Sequence, residues 1–171
     1  MTNDIQMATS NAIESAIEFC AEKAMLNDRQ SVLAARERAD CIACDYLRYG
    51  VAKGIADYFG KMDTHTRAIY FYNDGESTLM WDKSSPKSAK LTPGIRLILW
   101  ASKKSPALMA LVNAVIESVE NELRELYCPN ANALCNQLDV IVVDDQEVEG
   151  KTGYGALIES LYFRPIEIWH R

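Results

Sequence analysis

The sequence predicts an α+β fold: an N-terminal helical hairpin beside a small mixed β-sheet with crossover helices. Three observations carry this expectation. Apolar residues recur at helical spacing through the first part of the chain, with no strand-like run among them. After residue 65 the texture changes to short apolar runs rich in aromatic and β-branched residues, which suit buried strands. A long amphipathic stripe then separates two such runs, as a crossover helix does in a mixed sheet. At 171 residues the chain fits one compact unit. It divides into an N-terminal helical region, 1–60, and a mixed-sheet domain, 61–171.

Each element has its own signal. Ile13, Ala16, Ile17, Cys20 and Ala24 share one face of a first helix over 5–26, with Glu14, Glu18 and Glu22 on a solvated face. Asn27-Asp28 interrupts and offers a cap. Val32, Ala35, Ala39, Ile42, Tyr46 and Tyr49 then form the seam of a second helix over 29–49, completing the hairpin. Gly50 and Gly54 are candidate breaks, after which Val51, Ile55, Tyr58 and Phe59 continue the apolar face to a cap at Gly60. Ala68 to Tyr72 reads as a strand, Asn73-Asp74-Gly75 as a turn and Leu79-Met80-Trp81 as a short strand. The polar stretch from Asp82 to Pro93 reads as a loop, and Ile95 to Ala101 as a strong strand. Ser105-Pro106 opens a long helix with the stripe Leu108, Leu111, Val112, Val115, Val119, Leu123 and Leu126, ended by Cys128-Pro129. Leu138 to Val143 is a strand, Tyr154 to Leu161 a short helix and Pro165 to Trp169 a last strand.

Composition narrows the function. With 24 acidic and 18 basic residues the net charge is −6, which disfavours a general nucleic-acid binder. No apolar run reaches the roughly 18 residues that cross a bilayer, and Met1-Thr2-Asn3-Asp4 lacks the basic start of a secretory signal. A cytoplasmic location is the expectation. Five cysteines without such a signal suggest reduced thiols. Cys41-x-x-Cys44 falls inside the predicted second helix, so structural thiols are favoured over a zinc or redox motif.

Gly150-Lys151-Thr152 resembles the end of a phosphate-binding loop. That loop needs a glycine five positions before Gly150, where Asp145 stands. Asp144, Asp145, Glu147 and Glu149 would also repel a polyphosphate. A glycine-rich turn into the short helix is the simpler reading. His65 and His170 lie at element ends without a Ser or Cys in nucleophile context, which leaves a hydrolase triad unsupported. Lys83, Lys87 and Lys90 read as a solvated loop, and Trp81 and Trp100 as core anchors.

From about residue 51 onward the order of elements resembles the minimal nucleotidyltransferases of the DNA-polymerase-beta superfamily. Residues 51–60 are similar to that family's leading helix, and Arg67 to Gly75 to its first strand and Gly-Ser loop. Gly94-Ile95-Arg96-Leu97-Ile98-Leu99 resembles the strand that bears the Asp-x-Asp pair. Leu138-Asp139-Val140-Ile141 resembles the strand with the third acid, and Ala156 to Trp169 the closing helix and strand. The resemblance places the two metal-binding carboxylates at Gly94 and Arg96, and the Gly-Ser pair near Asn73-Asp74. Only Asp139 remains at an acid position, and two-metal chemistry needs several converging oxygens.

This pattern implies a degenerate member that keeps the scaffold without the reaction: a non-catalytic interaction or regulatory protein. No catalytic residue, metal ligand or cofactor is assigned. One alternative is a nucleotide- or anion-binding module that uses Asn73, Asp74, Gly75, Ser77, Lys103, Lys104 and Asp139. Another is a metal-dependent enzyme built on Asp139, Asp144 and Asp145. The tyrosine-bearing seam of the second helix suggests a homodimer through residues 5–60.

Overall fold

The computed structural model describes residues 2–38, 40–72, 94–127, 138–162 and 164–171. The expected turn and short strand between 73 and 81, the loop 82–93 and the Cys128-Pro129 helix end lie outside them. Among the described residues, helices α1 (Thr2–Lys23), α2 (Arg29–Glu37) and α3 (Cys41–Met62) precede strand β1 (Thr66–Phe71). Strand β2 (Ile95–Ala101), helix α4 (Pro106–Tyr127) and strand β3 (Leu138–Asp144) follow. Short helices α5 (Asp145–Glu149) and α6 (Gly155–Ile158) lead to strand β4 (Ile166–His170). The fold is α+β, as expected. No described helix is long and apolar enough to cross a membrane.

The four strands stand in the order β3-β2-β1-β4. β1 is antiparallel to β2 and to β4, whereas β2 and β3 are parallel and joined through α4. Strand alternation sends Ile69, Phe71, Leu97, Leu99, Val140 and Val142 to one face. They join the main core with α3 and α4. The α4 stripe from Leu108 to Leu123 is buried there, and the Ser105 hydroxyl caps the helix by accepting from the Leu108 amide at 3.0 Å. α1 packs on α3 and α4. On the opposite face Ala68, Tyr70, Ile98 and Val143 form a smaller core under α5 and α6 with Val148 and Ile158.

The helical region departs from a simple hairpin. The predicted second helix is two helices, because Asp40 caps a new start: its carboxylate accepts from the Ala43 amide at 3.0 Å. An aspartate side chain that competes for backbone amides favours a helix end over a helix interior. The seam is split as a result. Val32 and Ala35 are buried on α2, while Ile42 on α3 is 63% exposed. Tyr46 and Tyr49 pack inward against Phe19 of α1, with ring centroids 5.8 and 5.9 Å apart, and Tyr49 also meets Phe71 of β1 at 6.3 Å.

Gly50 and Gly54 are not breaks. Both lie within α3, where a Cβ on Gly50 would stand 2.8 Å from the Ala16 Cα and one on Gly54 would stand 2.6 Å from the Ala12 Cβ. Small residues one turn apart on both helices let the two backbones approach closely, and that approach sets the α1–α3 crossing. Gly60 does not end α3 either. The Trp169 ring of β4 lies against it, and the helix runs on to Met62.

Candidate functional site

Two ends of the sheet carry polar chemistry. At the first, where β2 and β3 begin, Arg96 stands in register with Asp139. The two residues point to the face away from the large helices, and Arg96 Nε donates to Asp139 Oδ2 at 3.0 Å. A second guanidinium meets the same end from the other side. Arg48 of α3 is buried, lies 5.7 Å from the Phe71 ring and donates to the Gly94 carbonyl at 3.1 Å. Its charge faces the Asp45 carboxylate at 3.3 Å. Positions 94 and 96 are thus a backbone carbonyl held by one arginine and the side chain of another. Asp139 is the carboxylate paired to the latter.

The opposite end, where β2 and β3 finish, is a corner of mutually paired groups. The Trp100 indole donates to Asp145 at 2.9 Å, Arg67 pairs with the same carboxylate, and the Arg67 guanidinium lies 5.7 Å from the Trp100 ring. Asp144 and Glu147 form a capping box at the start of α5, with both bonds at 3.0 Å. Lys104 reaches Glu147 at 2.6 Å, and Lys103 beside it is exposed. The acidic stretch is therefore a capped helix in which Asp144, Asp145 and Glu147 are matched by backbone amides, Arg67, the Trp100 indole and Lys104.

This geometry separates residues that the sequence grouped. Lys103 and Lys104 follow the end of β2, while Asp139 faces its beginning, roughly 20 Å away along the strand. Asp144 and Asp145 are likewise at the far end of β3 from Asp139, so the three do not converge. Asn73, Asp74, Gly75 and Ser77 lie outside the described residues. So do Trp81, Lys83, Lys87, Lys90, Cys128 and Cys135. Among the described residues no group of three or more His, Cys, Asp or Glu is placed to hold a metal ion.

The Gly150-Lys151-Thr152 segment follows a helix rather than a strand. Gly150 caps α5, Lys151 pairs with Glu159 at 3.2 Å, and the Thr152 amide donates to the Glu147 carbonyl at 2.9 Å. Its amides turn back on the helix, unlike those of a phosphate cradle. His65 Nδ1 lies 3.3 Å from the Ser102 hydroxyl, an exposed contact with no carboxylate bonded to the ring among the described hydrogen bonds. Burial and the neighbouring Glu167 carboxylate push the Tyr70 phenol up to about 12, which keeps it neutral and unsuited as a base.

The thiols also stand differently from expectation. Because α3 starts at Cys41, Cys41-x-x-Cys44 opens a helix instead of lying within one. Cys41 is exposed, Cys44 is half-buried, and Cys20 of α1 is buried with its Sγ 3.4 Å from the Ala43 carbonyl. None of the three is in a disulfide. The residues that sequence reasoning missed are Arg48 and Arg67. Each is a charged residue within an apolar element, and that contrast was the available signal. Comparison with family models, with curated proteins and with solved structures gives no match.

Proposed function

We propose that this chain is a non-catalytic interaction or regulatory protein on a nucleotidyltransferase-like scaffold. The observation that carries the reading is the Arg96–Asp139 pair. The β2–α4–β3 crossover brings these positions side by side in register, and that neighbourhood supports reading the two strands as the counterparts of the family's acid-bearing strands. A guanidinium then occupies the place of a metal-binding carboxylate and takes up the remaining acid. A cation held at Asp139 Oδ2 opposes a magnesium ion at that carboxylate by like charge, and Gly94 supplies no second carboxylate. The expected result with labelled nucleoside triphosphates and magnesium or manganese is no transfer above the protein-free background. Transfer by the wild type that Asp139→Asn abolishes would overturn this reading. A thermal-shift screen with nucleotides and divalent ions separates it from a nucleotide- or anion-binding module.

Assembly is part of the same proposal. The homodimer expected through residues 5–60 has Met7, Met25 and Ile42 as its exposed apolar residues, since Val32, Ala35, Tyr46 and Tyr49 pack within the chain. Light scattering at micromolar concentration is expected to give twice the single-chain mass, and Ile42→Asp to halve it by setting a charge in the contact. A wild-type mass of 19.2 kDa, that of one chain, ends the dimer reading.

A further inference from the structure

We propose that Cys41 and Cys44 form a thiol–disulfide exchange site for low-molecular-weight disulfides of the glutathione type. The inference stands on the start of α3 and is independent of the Arg96–Asp139 reading. Asp40 caps the helix, so Cys41 takes its first position and Cys44 lies one turn on. Residues three apart on a helix share a face, with Cα atoms about 5 Å apart by helix geometry. A disulfide spans Cα separations of roughly 4.4–6.8 Å, so closure asks only for a local adjustment of the first turn. The amides of that turn are the ones with fewest helical partners.

The two thiols differ in a way that assigns their roles. Cys41 is exposed and is the sulfur a solute can reach. Cys44 is half-buried behind it. Burial pushes the Cys44 thiol up, while the nearby Arg36 guanidinium favours its thiolate and the Cys41 and Asp45 charges oppose it. Cys20 beneath is buried and is also pushed up by burial, which makes it the least available of the three.

The chemistry closes in two exchanges. The Cys41 thiolate attacks one sulfur of the small disulfide. A Cys41 mixed disulfide forms, the small disulfide's S–S bond breaks, and one thiolate leaves and takes a proton from solvent. The Cys44 thiolate then attacks the Cys41 sulfur, the Cys41–Cys44 bond forms, and the second small thiol leaves and is protonated. The protein dithiol is oxidised by two electrons, and one small disulfide is reduced to two thiols.

The test equilibrates the full chain with mixtures of glutathione and glutathione disulfide, quenches by alkylation, and reads intact mass and peptide map. The wild type is expected to lose two alkylatable thiols, with the bond mapped to Cys41–Cys44. Cys44→Ser is expected to stop at one glutathione on Cys41. Cys41→Ser is expected to react at least roughly tenfold more slowly, with its helical circular dichroism unchanged. Serine is well tolerated at a helix start, which keeps the variant informative. The proposal is overturned if the wild type accumulates glutathione on Cys41 without closing. It is equally overturned if the bond involves Cys20, Cys128 or Cys135, or if Cys41→Ser reacts at the wild-type rate.

Discussion

Replacing Gly50 and Gly54 together with alanine is expected to destabilise the protein by about 4 kcal/mol, where ordinary helix energetics predict a gain. In an unconstrained helix interior each Gly→Ala change favours the helix by roughly 0.8–1 kcal/mol. Here the new methyl groups would stand 2.8 Å from the Ala16 Cα and 2.6 Å from the Ala12 Cβ. The Ala16 contact is with backbone, so α1 must move as a body. That movement loosens Ile13, Ile17 and Cys20, all buried against α3 and its neighbours. Overpacking of this kind costs roughly 1–3 kcal/mol per site. For a chain of this size the loss corresponds to a fall in Tm of roughly 10 °C. Thermal and urea unfolding monitored by circular dichroism read it directly. A matched pair sharpens the result: Ala12→Gly should restore part of the stability lost in Gly54→Ala alone, because the contact is mutual. An unchanged or raised Tm in the double alanine variant would show that the two helices do not cross at these residues.

Arg171→Met is the second large effect, an expected loss of about 2–3 kcal/mol. The guanidinium donates to the Thr66 carbonyl at 3.0 Å, the Gly60 carbonyl at 3.0 Å and the Asp63 carbonyl at 2.9 Å. It also lies 5.6 Å from the Trp169 ring. Gly60 and Asp63 sit at the C-terminal end of α3, where unpaired carbonyls accumulate and a positive charge is favoured. Hydrogen bonds to charged groups contribute roughly 1.5–3 kcal/mol, and methionine keeps most of the stem while removing every donor. Lysine should recover only part of the loss, since one ammonium cannot reproduce the planar fork. Hydrogen exchange is the discriminating measurement: protection should fall first in the last turn of α3 and in β4. Uniform loss across the chain, or no loss at all, would contradict this role.

Much of the fold was legible because burial repeats with a period. The β2 run from Ile95 to Ala101 and the α4 stripe beginning at Leu108 are placed by pattern alone, and the Ser105-Pro106 start of α4 is a local signal with a local cause. The break at Asp40 was less visible, since apolar spacing continued across it and hid a capping residue. Asp144-x-x-Glu147 is a capping-box signature, but Gly150, Gly153 and Gly155, which follow it, drew the segment toward a turn reading. Gly50 and Gly54 look alike in sequence whether they end a helix or admit a neighbouring one. Only the α1–α3 contact distinguishes the cases. At the candidate site, the lack of acids at Gly94 and Arg96 was readable. The pairing of Arg96 with Asp139 was not, because it depends on which strands are neighbours and in what register. Lys103, Lys104 and Asp139 were grouped by residue type, and strand length separates them.

The strand order has a consequence for how the chain reaches this state. β1 lies between β2 and β4, and the Arg171–Thr66 bond joins residues 105 apart in sequence. The α1–α3 crossing and the β2–α4–β3 unit draw on nearer segments, so each can organise while the β4 edge of β1 is still bare. The β1–β4 seam joins segments far apart in sequence and needs β4, the last strand, so it is expected to close late. Until then β1 offers a row of open amides and carbonyls beside Ile69 and Phe71, the kind of edge that pairs with another chain. The Arg171 clamp joins this final seam to the helical layer, so it acts mainly on the rate at which the seam reopens and little on the early steps of folding.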